Sequence, residues 1–334
     1  MKFYKIGVIG AGGWGTTLAT LLHRKKINVT LFTHETNIIK NIKETGENLD
    51  YLPGFKIPQD LKITNDSLEL EDTDLIVNAI PTQYIRSSIK NFKLPIEGKY
   101  IVNGSKGIEI GTLKRISEIF YETANIDSNK YAVLTGPSHA EEVSKQHPTT
   151  VVVASENPLL SNEIQDLFNT NFFRVYTSDD LVGCELGGAL KNVVAIAAGV
   201  IEGLELGDNT KAALITRGLA EISRLGIALG AKPLTFSGLS GLGDLFVTCN
   251  SQLSRNRKVG ELLGKGMSLK QIRAEMKMVA EGTFTTESAY HLSKLHHVEM
   301  PITTQMYKIL FENVNPIDAI EELMNRETKK EWWW

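Results

Sequence analysis

Ile6-Gly7-Val8-Ile9-Gly10-Ala11-Gly12-Gly13-Trp14-Gly15-Thr16-Thr17 is the stretch that decides the fold. An apolar run passes straight into G-x-G-x-x-G, and a helical pattern follows. Strand, glycine turn and helix in that order begin a dinucleotide-binding βαβ unit. Gly10 permits the tight turn, Gly12 lets a pyrophosphate approach the backbone, and Gly15 lets the helix pack close on the strand. The free N–H groups and the dipole of the helix start then face the phosphates. The stretch predicts a nucleotide site and is silent about the reaction.

Outward from it, short β-branched runs at 5–9, 29–32, 75–79, 100–102, 132–134 and 150–154 alternate with amphipathic stretches. That alternation predicts an α/β fold with a parallel, doubly wound sheet. Residues 173–176 add a last strand at its edge. After about Leu181 the pattern changes. Ala, Gly and Leu recur at helical spacing through Ala197, Ala212, Leu219, Ile222, Leu225 and Ala228. The expected division is a Rossmann-like domain over 1–181, an all-helical domain over 182–329, and a disordered tail over 330–334. Three of the chain's 4 Trp close that tail, as Trp332, Trp333 and Trp334.

The bulk numbers agree with this plan. A chain of 334 residues suits about two domains of roughly 150 residues each. With 42% hydrophobic and 22% charged residues it can bury a sizeable core. A net charge of −3 gives no basic field for nucleic acid. Only 2 Cys, Cys184 and Cys249, argue against a disulfide framework or a cysteine-based metal site and fit a reducing compartment. The apolar run after Lys5 breaks into glycines, unlike a signal peptide. The longest apolar helix, around 193–200, is expected to be too short to span a bilayer. The reading is a soluble cytoplasmic protein with no metal, nucleic-acid or membrane partner.

Several later segments carry chemistry. The second strand ends at Thr33-His34-Glu35. An acid about 20 residues past the glycines grips the ribose 2′-hydroxyl of NAD, and Glu35 is near that place. His34 beside it, with no acid at Phe32 or Thr33, instead suits a 2′-phosphate. The preference leans to NADP(H), with NAD(H) also admitted. Two further strands end at Asn78-Ala79-Ile80-Pro81 and Asn103-Gly104-Ser105-Lys106-Gly107. Ligands collect at the carboxyl ends of such strands, which aims Lys106 at the nicotinamide crevice. Thr135-Gly136-Pro137-Ser138-His139-Ala140-Glu141-Glu142 leaves a strand and enters a helix, with Ser138 as the expected N-cap and Glu141 in the capping-box position.

Lys191, in Ala189-Leu190-Lys191-Asn192, is the centre of the functional reading. Hydride transfer between an alcohol and a nicotinamide must be coupled to proton transfer on oxygen, and a lysine on a small, apolar helix is a candidate carrier. Gly187, Gly188, Ala189 and Ala195 are expected to leave room for a ligand. Asp244, in Gly241-Leu242-Gly243-Asp244-Leu245, could orient the lysine or a substrate hydroxyl. Ser251-Gln252-Leu253-Ser254-Arg255-Asn256-Arg257-Lys258 is polar and cationic, and an arginine fork there would suit a small phosphorylated substrate at Arg255 and Asn256. His296-His297 has no partner at metal spacing, and no Walker loop or nucleophile elbow occurs.

Together these segments resemble the bacterial-type NAD(P)-dependent glycerol-3-phosphate dehydrogenases, from Gly7 to about Asn325. The most specific blocks are 10–16, 103–107, 134–142, 185–192, Gly207-Asp208-Asn209-Thr210-Lys211-Ala212-Ala213-Leu214-Ile215-Thr216-Arg217-Gly218, 238–245 and 279–282. The resemblance implies a C-terminal domain like that of 6-phosphogluconate dehydrogenases. It implies reversible reduction of dihydroxyacetone phosphate to sn-glycerol 3-phosphate for phospholipid synthesis, by a homodimer. It makes Lys191 the proton acceptor in the oxidation direction. It places Gly13, Trp14, His34 and Tyr51 on the cofactor, and Lys106 on both cofactor and substrate. Gly136 and Ser138 would contact the substrate, and Ala140 the cofactor. Asp244, Ser254, Arg255 and Asn256 would line the substrate pocket, with Arg255 also reaching the cofactor. Val279 and Glu281 would close on the nucleotide. Gly13 departs from the pattern, since many members carry serine there. The tryptophan tail lies outside it. Rival readings on the same architecture are a hydroxyacid or ketopantoate-type reductase and a silent dinucleotide-sensing module.

Overall fold

The computed structural model describes residues 2–276 and 280–331. Val279 and the three terminal tryptophans lie outside the described residues. The chain divides into two compact units, Met1–Lys106 with Lys114–Cys184, and Gly107–Leu113 with Glu185–Trp334.

The first unit is built on β1 (Lys5–Ile9), α1 (Gly13–Arg24), β2 (Asn28–Phe32), α2 (Thr36–Thr45), β3 (Glu47–Asn48), β4 (Leu52–Lys56), β5 (Lys62–Thr64) and β6 (Leu75–Asn78). It continues through α3 (Ile85–Asn91), β7 (Tyr100–Asn103), α4 (Ile116–Ala124), β8 (Tyr131–Thr135), α5 (Ala140–Ser144), β9 (Thr149–Ala154), α6 (Pro158–Phe168) and β10 (Phe173–Ser178). Eight strands form one sheet in the order β10-β9-β8-β7-β6-β1-β2-β5. The run β5-β2-β1-β6-β7-β8 is the 3-2-1-4-5-6 order of a doubly wound dinucleotide fold. Its strands are near-continuous apolar runs because helices cover both faces. Ile6, Val8, Leu31, Leu75, Val77, Val102 and Leu134 pack with Leu18, Leu22, Ile164 and Phe168 from the helices. Each such side chain contributes about 1.5–3 kcal/mol when fully buried.

Two features differ from the sequence reading. The sheet is mixed rather than parallel throughout, because β9 runs antiparallel to β8. Between them α5 has 5 residues. At 1.5 Å per residue it covers about 8 Å, too short to run back alongside a strand. Strand β5, which pairs with β2, and the β3–β4 hairpin were also not foreseen.

The second unit is helical: α7 (Leu181–Gly203), α8 (Gly207–Ala228), α9 (Asp244–Asn250), α10 (Arg255–Gly264), α11 (Leu269–Glu275), α12 (Glu281–Leu295), α13 (Pro301–Phe311) and α14 (Pro316–Met324). The division between units falls inside α7, after Cys184. This helix has 23 residues, so the expected short apolar helix is corrected: it is long and apolar enough to cross a membrane, yet its apolar window is 100% buried. A helix apolar on all sides belongs in a core. It meets α10 backbone to backbone. A Cβ on Gly199 would fall 1.9 Å from the Arg257 carbonyl oxygen, and one on Gly260 would fall 1.8 Å from that of Ile196. Glu221 on α8 is fully buried and caps the start of α13. Its carboxyl accepts from Ile302 N–H at 2.6 Å and from Thr303 N–H at 3.1 Å. Burial outweighs these bonds and raises its pKa to about 7.

Candidate functional site

In the sheet unit the candidate residues present mainly backbone groups. The turn between β1 and α1 has the shape its glycines require. Gly10 sits at φ +98, and a Cβ there would meet the Ala79 backbone at 2.9 Å. A Cβ on Gly15 would lie 1.9 Å from the Gly10 carbonyl oxygen. Gly12 opens instead on empty space, with nothing within 4 Å of an added Cβ. It is the N-cap of α1 and provides no side-chain cap, so the N–H groups of the first turn face that space. A tight turn, a side-chain-free approach and an uncapped helix start together fit a dinucleotide pyrophosphate.

The neighbouring strand ends are braced by buried amides. Asn78 and Asn103 stand opposite each other at the ends of β6 and β7, and both are fully buried. Asn78 Nδ2 donates to Asn103 Oδ1 at 2.8 Å, and Ser105 N–H donates to the same oxygen at 3.1 Å. The turn so fixed carries Gly104, where a Cβ would come 2.8 Å from Trp14 Nε1. It also carries Lys106, whose Nζ donates to the Gly136 carbonyl at 3.0 Å. Ser138 Oγ donates to that carbonyl as well, at 3.0 Å. The expected Ser138 N-cap is thereby corrected: His139 is the N-cap of α5, and its side chain does not cap the helix. Gly136 at φ +127 turns the chain, and the Ser138 hydroxyl folds back onto that turn. At the end of β2, the Tyr51 hydroxyl donates to Glu35 at 3.1 Å, and His34 stacks on Phe92. Burial and the Glu35 carboxylate both raise the Tyr51 pKa. Ala140 begins α5, whose Ser144 pairs with Thr17 of α1 at 2.9 Å.

In the helical unit the candidate residues present side chains, several of them ionisable. Lys191 projects from α7 with its side chain only 7% exposed. Its Nζ donates to Asp244 Oδ1 and to Thr248 Oγ1, both at 2.5 Å. The Thr248 hydroxyl in turn donates to the Asp244 carbonyl at 2.6 Å. Asp244 is 1% exposed and begins α9 directly after a π-helical turn, Leu239–Gly243. Such turns often mark functional positions. Removing one partner of a buried, bonded ion pair costs about 3–5 kcal/mol. The space expected at Gly187 is taken by protein: a Cβ there would meet the Ser240 carbonyl oxygen at 2.5 Å.

Asn192, the next residue, leads into a second chain of bonds. Asn256 Nδ2 donates to Asn192 Oδ1 at 2.9 Å, and Asn256 Oδ1 accepts from Gly282 N–H at 2.9 Å. Ser254 caps α10 by accepting from Arg257 N–H at 3.2 Å, and Arg255 follows it, exposed, at the helix start. Glu281 opens α12. Cys249 on α9 is buried, and burial pushes its thiol up to about 12. No cluster of three or more His, Cys, Asp or Glu that could hold a metal occurs among the described residues.

Residues 5–161 match the sequence family described as the N-terminus of NAD-dependent glycerol-3-phosphate dehydrogenase, and residues 180–321 match its C-terminus. The chain belongs to the glycerol-3-phosphate dehydrogenase family. It is 50% identical over 329 residues to the glycerol-3-phosphate dehydrogenase [NAD(P)+] of Prosthecochloris aestuarii, covering 98% of this chain and 99% of that one. The Bacillus pumilus protein of the same name is 51% identical over 325 residues, covering 96% and 94%. The crystal structure of glycerol-3-phosphate dehydrogenase from Coxiella burnetii superposes with a TM-score of 0.91 at 38% identity, covering 97% of this chain and 99% of that one.

The sequence reading missed the bonding partners Thr248 and Asn192, and it passed over Asn48, which holds the Ala11 carbonyl. Thr248 lies one helical turn after Asp244, and that spacing was the available signal. Asn192 sits beside Lys191 within a quoted block. Asn48, fully buried, had no local signal at all.

Proposed function

We propose that this glycerol-3-phosphate dehydrogenase family member reversibly reduces dihydroxyacetone phosphate to sn-glycerol 3-phosphate with NADH or NADPH, and so supplies glycerophospholipid synthesis. The reading rests above all on Lys191, a buried ammonium held by Asp244 and Thr248 on a helix with few other charges. Bound NAD(P)H supplies the hydride. In the reduction direction Lys191 donates a proton to the substrate carbonyl oxygen, and in oxidation the neutral amine takes the alcohol proton back. Asp244 supplies the counter-charge, and Thr248 fixes the direction of Nζ. The overall change is ketone plus NAD(P)H plus one proton to alcohol plus NAD(P)+.

The exposed guanidinium of Arg255 and the second Nδ2 hydrogen of Asn256 are the donors we assign to the substrate phosphate. Ser254 sets the start of the helix that carries them. Lys106, Gly136 and Ser138 form a cluster suited to the polar end of the substrate. Gly10, Gly12, Gly13, Trp14, Gly15, His34, Tyr51 and Ala140 are assigned to the cofactor, and Glu281 to its closure. Buried Cys184 and Cys249, neither of them in a disulfide, support a reducing, cytoplasmic setting. The family resemblance supports a homodimer, and we take 1–181 and 182–329 as its cofactor and substrate domains.

The test compares dihydroxyacetone phosphate with an α-keto acid, following NADH and NADPH oxidation by absorbance. Turnover of the triose phosphate with both nicotinamides is expected. Turnover of the keto acid alone would replace this reading with a hydroxyacid reductase.

A further inference from the structure

Asn48 touches three parts of the glycine-turn region at once. It closes β3 and is fully buried. Its Nδ2 donates to the Ala11 carbonyl at 2.8 Å and to Thr16 Oγ1 at 2.9 Å. Its Oδ1 accepts from Tyr51 N–H at 3.3 Å. Both donors and the acceptor of the amide are thus in use. Ala11 lies inside the glycine turn and Thr16 in the first turn of α1, so one side chain fixes both ends of the cradle. Tyr51 in turn covers Gly13, where a Cβ would come 2.7 Å from the Tyr51 carbonyl oxygen. From the same turn the Tyr51 hydroxyl reaches Glu35.

We propose that Asn48 is a positioning residue for the dinucleotide. By holding the Ala11 carbonyl it sets the direction of the Gly12 and Gly13 peptide groups. By holding Tyr51 N–H it seats the β3–β4 hairpin on Gly13. A Cβ at position 13 would force that hairpin to shift, so in this chain the glycine at 13 and the amide at 48 belong to one arrangement. The proposal rests on the reading that the glycine turn holds a dinucleotide.

Isothermal titration with NADH, and with ADP-ribose, which keeps both phosphates but lacks nicotinamide, tests it. Asn48→Ala should raise both Kd values about tenfold while kcat at saturating cofactor, and KM for dihydroxyacetone phosphate, stay within twofold. A residue needed only for folding would lower Tm and leave both affinities within twofold, and that result overturns the proposal. Gly13→Ala should weaken the same two ligands. The double variant should be no worse than the poorer single, because both changes displace one turn. Losses that multiply would overturn the coupling. If Asn48→Ala does not fold, Asn48→Ser, which is shorter and keeps one hydroxyl, should show about a threefold loss, and unchanged affinity would count against the proposal. Gly12→Val fills the open side of the cradle and separates the two ideas. Unchanged NADH affinity there sinks the glycine-turn reading itself. Lost affinity there with an unaffected Asn48→Ala sinks only the role of Asn48.

Discussion

The two halves of the molecule, each taken by itself, treat buried polarity differently. At the sheet ends the buried polar groups are neutral amides, Asn48, Asn78 and Asn103, bonded to backbone and to one another. In the helical unit the buried amides Asn192 and Asn256 are joined by ionisable groups: Lys191 against Asp244, and Glu221 at the start of α13. A neutral amide holds a loop in place and is indifferent to pH. A buried charge can move a proton or stabilise developing charge, but it ties the fold to its partner and to pH. Under the proposed function the contrast follows the chemistry, since gripping phosphates requires geometry and reducing a carbonyl requires a proton.

The sharpest way to break the comparison is Lys191→Ala. Its kcat should fall about 10³-fold, within the range of a positioned general acid, while NADH affinity stays within twofold. A parallel loss of NADH affinity would show that the halves do not divide the work as described. Stability of Lys191→Ala should recover when Asp244→Asn is added, because the uncompensated carboxylate is gone.

Next is pH. Glu221 holds its proton to about pH 7 in the folded chain, against 4.5 ordinarily. Between those values the folded state binds more protons than the unfolded one. This group's contribution is therefore fully present below about 4.5, falls as pH rises, and is lost above about 7, by roughly 3 kcal/mol in all. Urea midpoints across that window should show the slope, and Glu221→Gln should flatten it. A slope that persists in the glutamine variant would place the titrating group elsewhere.

Gly12→Val should weaken NADH about 30-fold, ~2 kcal/mol, with the urea midpoint little moved. A large stability loss would mean that the open side of the turn is a packing site. The smallest expected effect is that of Thr248→Val, which keeps the volume and removes the hydroxyl. About a tenfold loss in kcat, ~1.4 kcal/mol, with unchanged KM for the triose phosphate would assign Thr248 to orienting the amine. A change confined to KM would assign it to substrate binding.

Much of the fold could be read in the residues because its signals are local. The glycine turn, the strand runs and the helical character after Leu181 are each written within a few positions. Strand direction is not: the reversal at β9 follows from the shortness of α5, and its boundaries are not sharp in sequence. The block from Glu185 to Asn192 announced a lysine in apolar company but not its partner Thr248, which is 57 residues away. Gly187 suggested room for a ligand, where in the structure the Ser240 backbone fills that room. Ser138 satisfied every local rule for a cap, and its hydroxyl went instead to the Gly136 carbonyl. Asn48 drew no reading at all, because nothing near it in sequence reveals the carbonyl it holds.

One consequence of α7 concerns the chain before it folds. A 23-residue segment with a strongly apolar 18-residue stretch leaves the ribosome with the length and composition of a bilayer anchor. Lys191 interrupts it near the midpoint, where a lysine costs about 2.5–3.5 kcal/mol on insertion scales. Replacing that lysine with leucine would remove the charge and bring the segment closer still to the composition of an anchor.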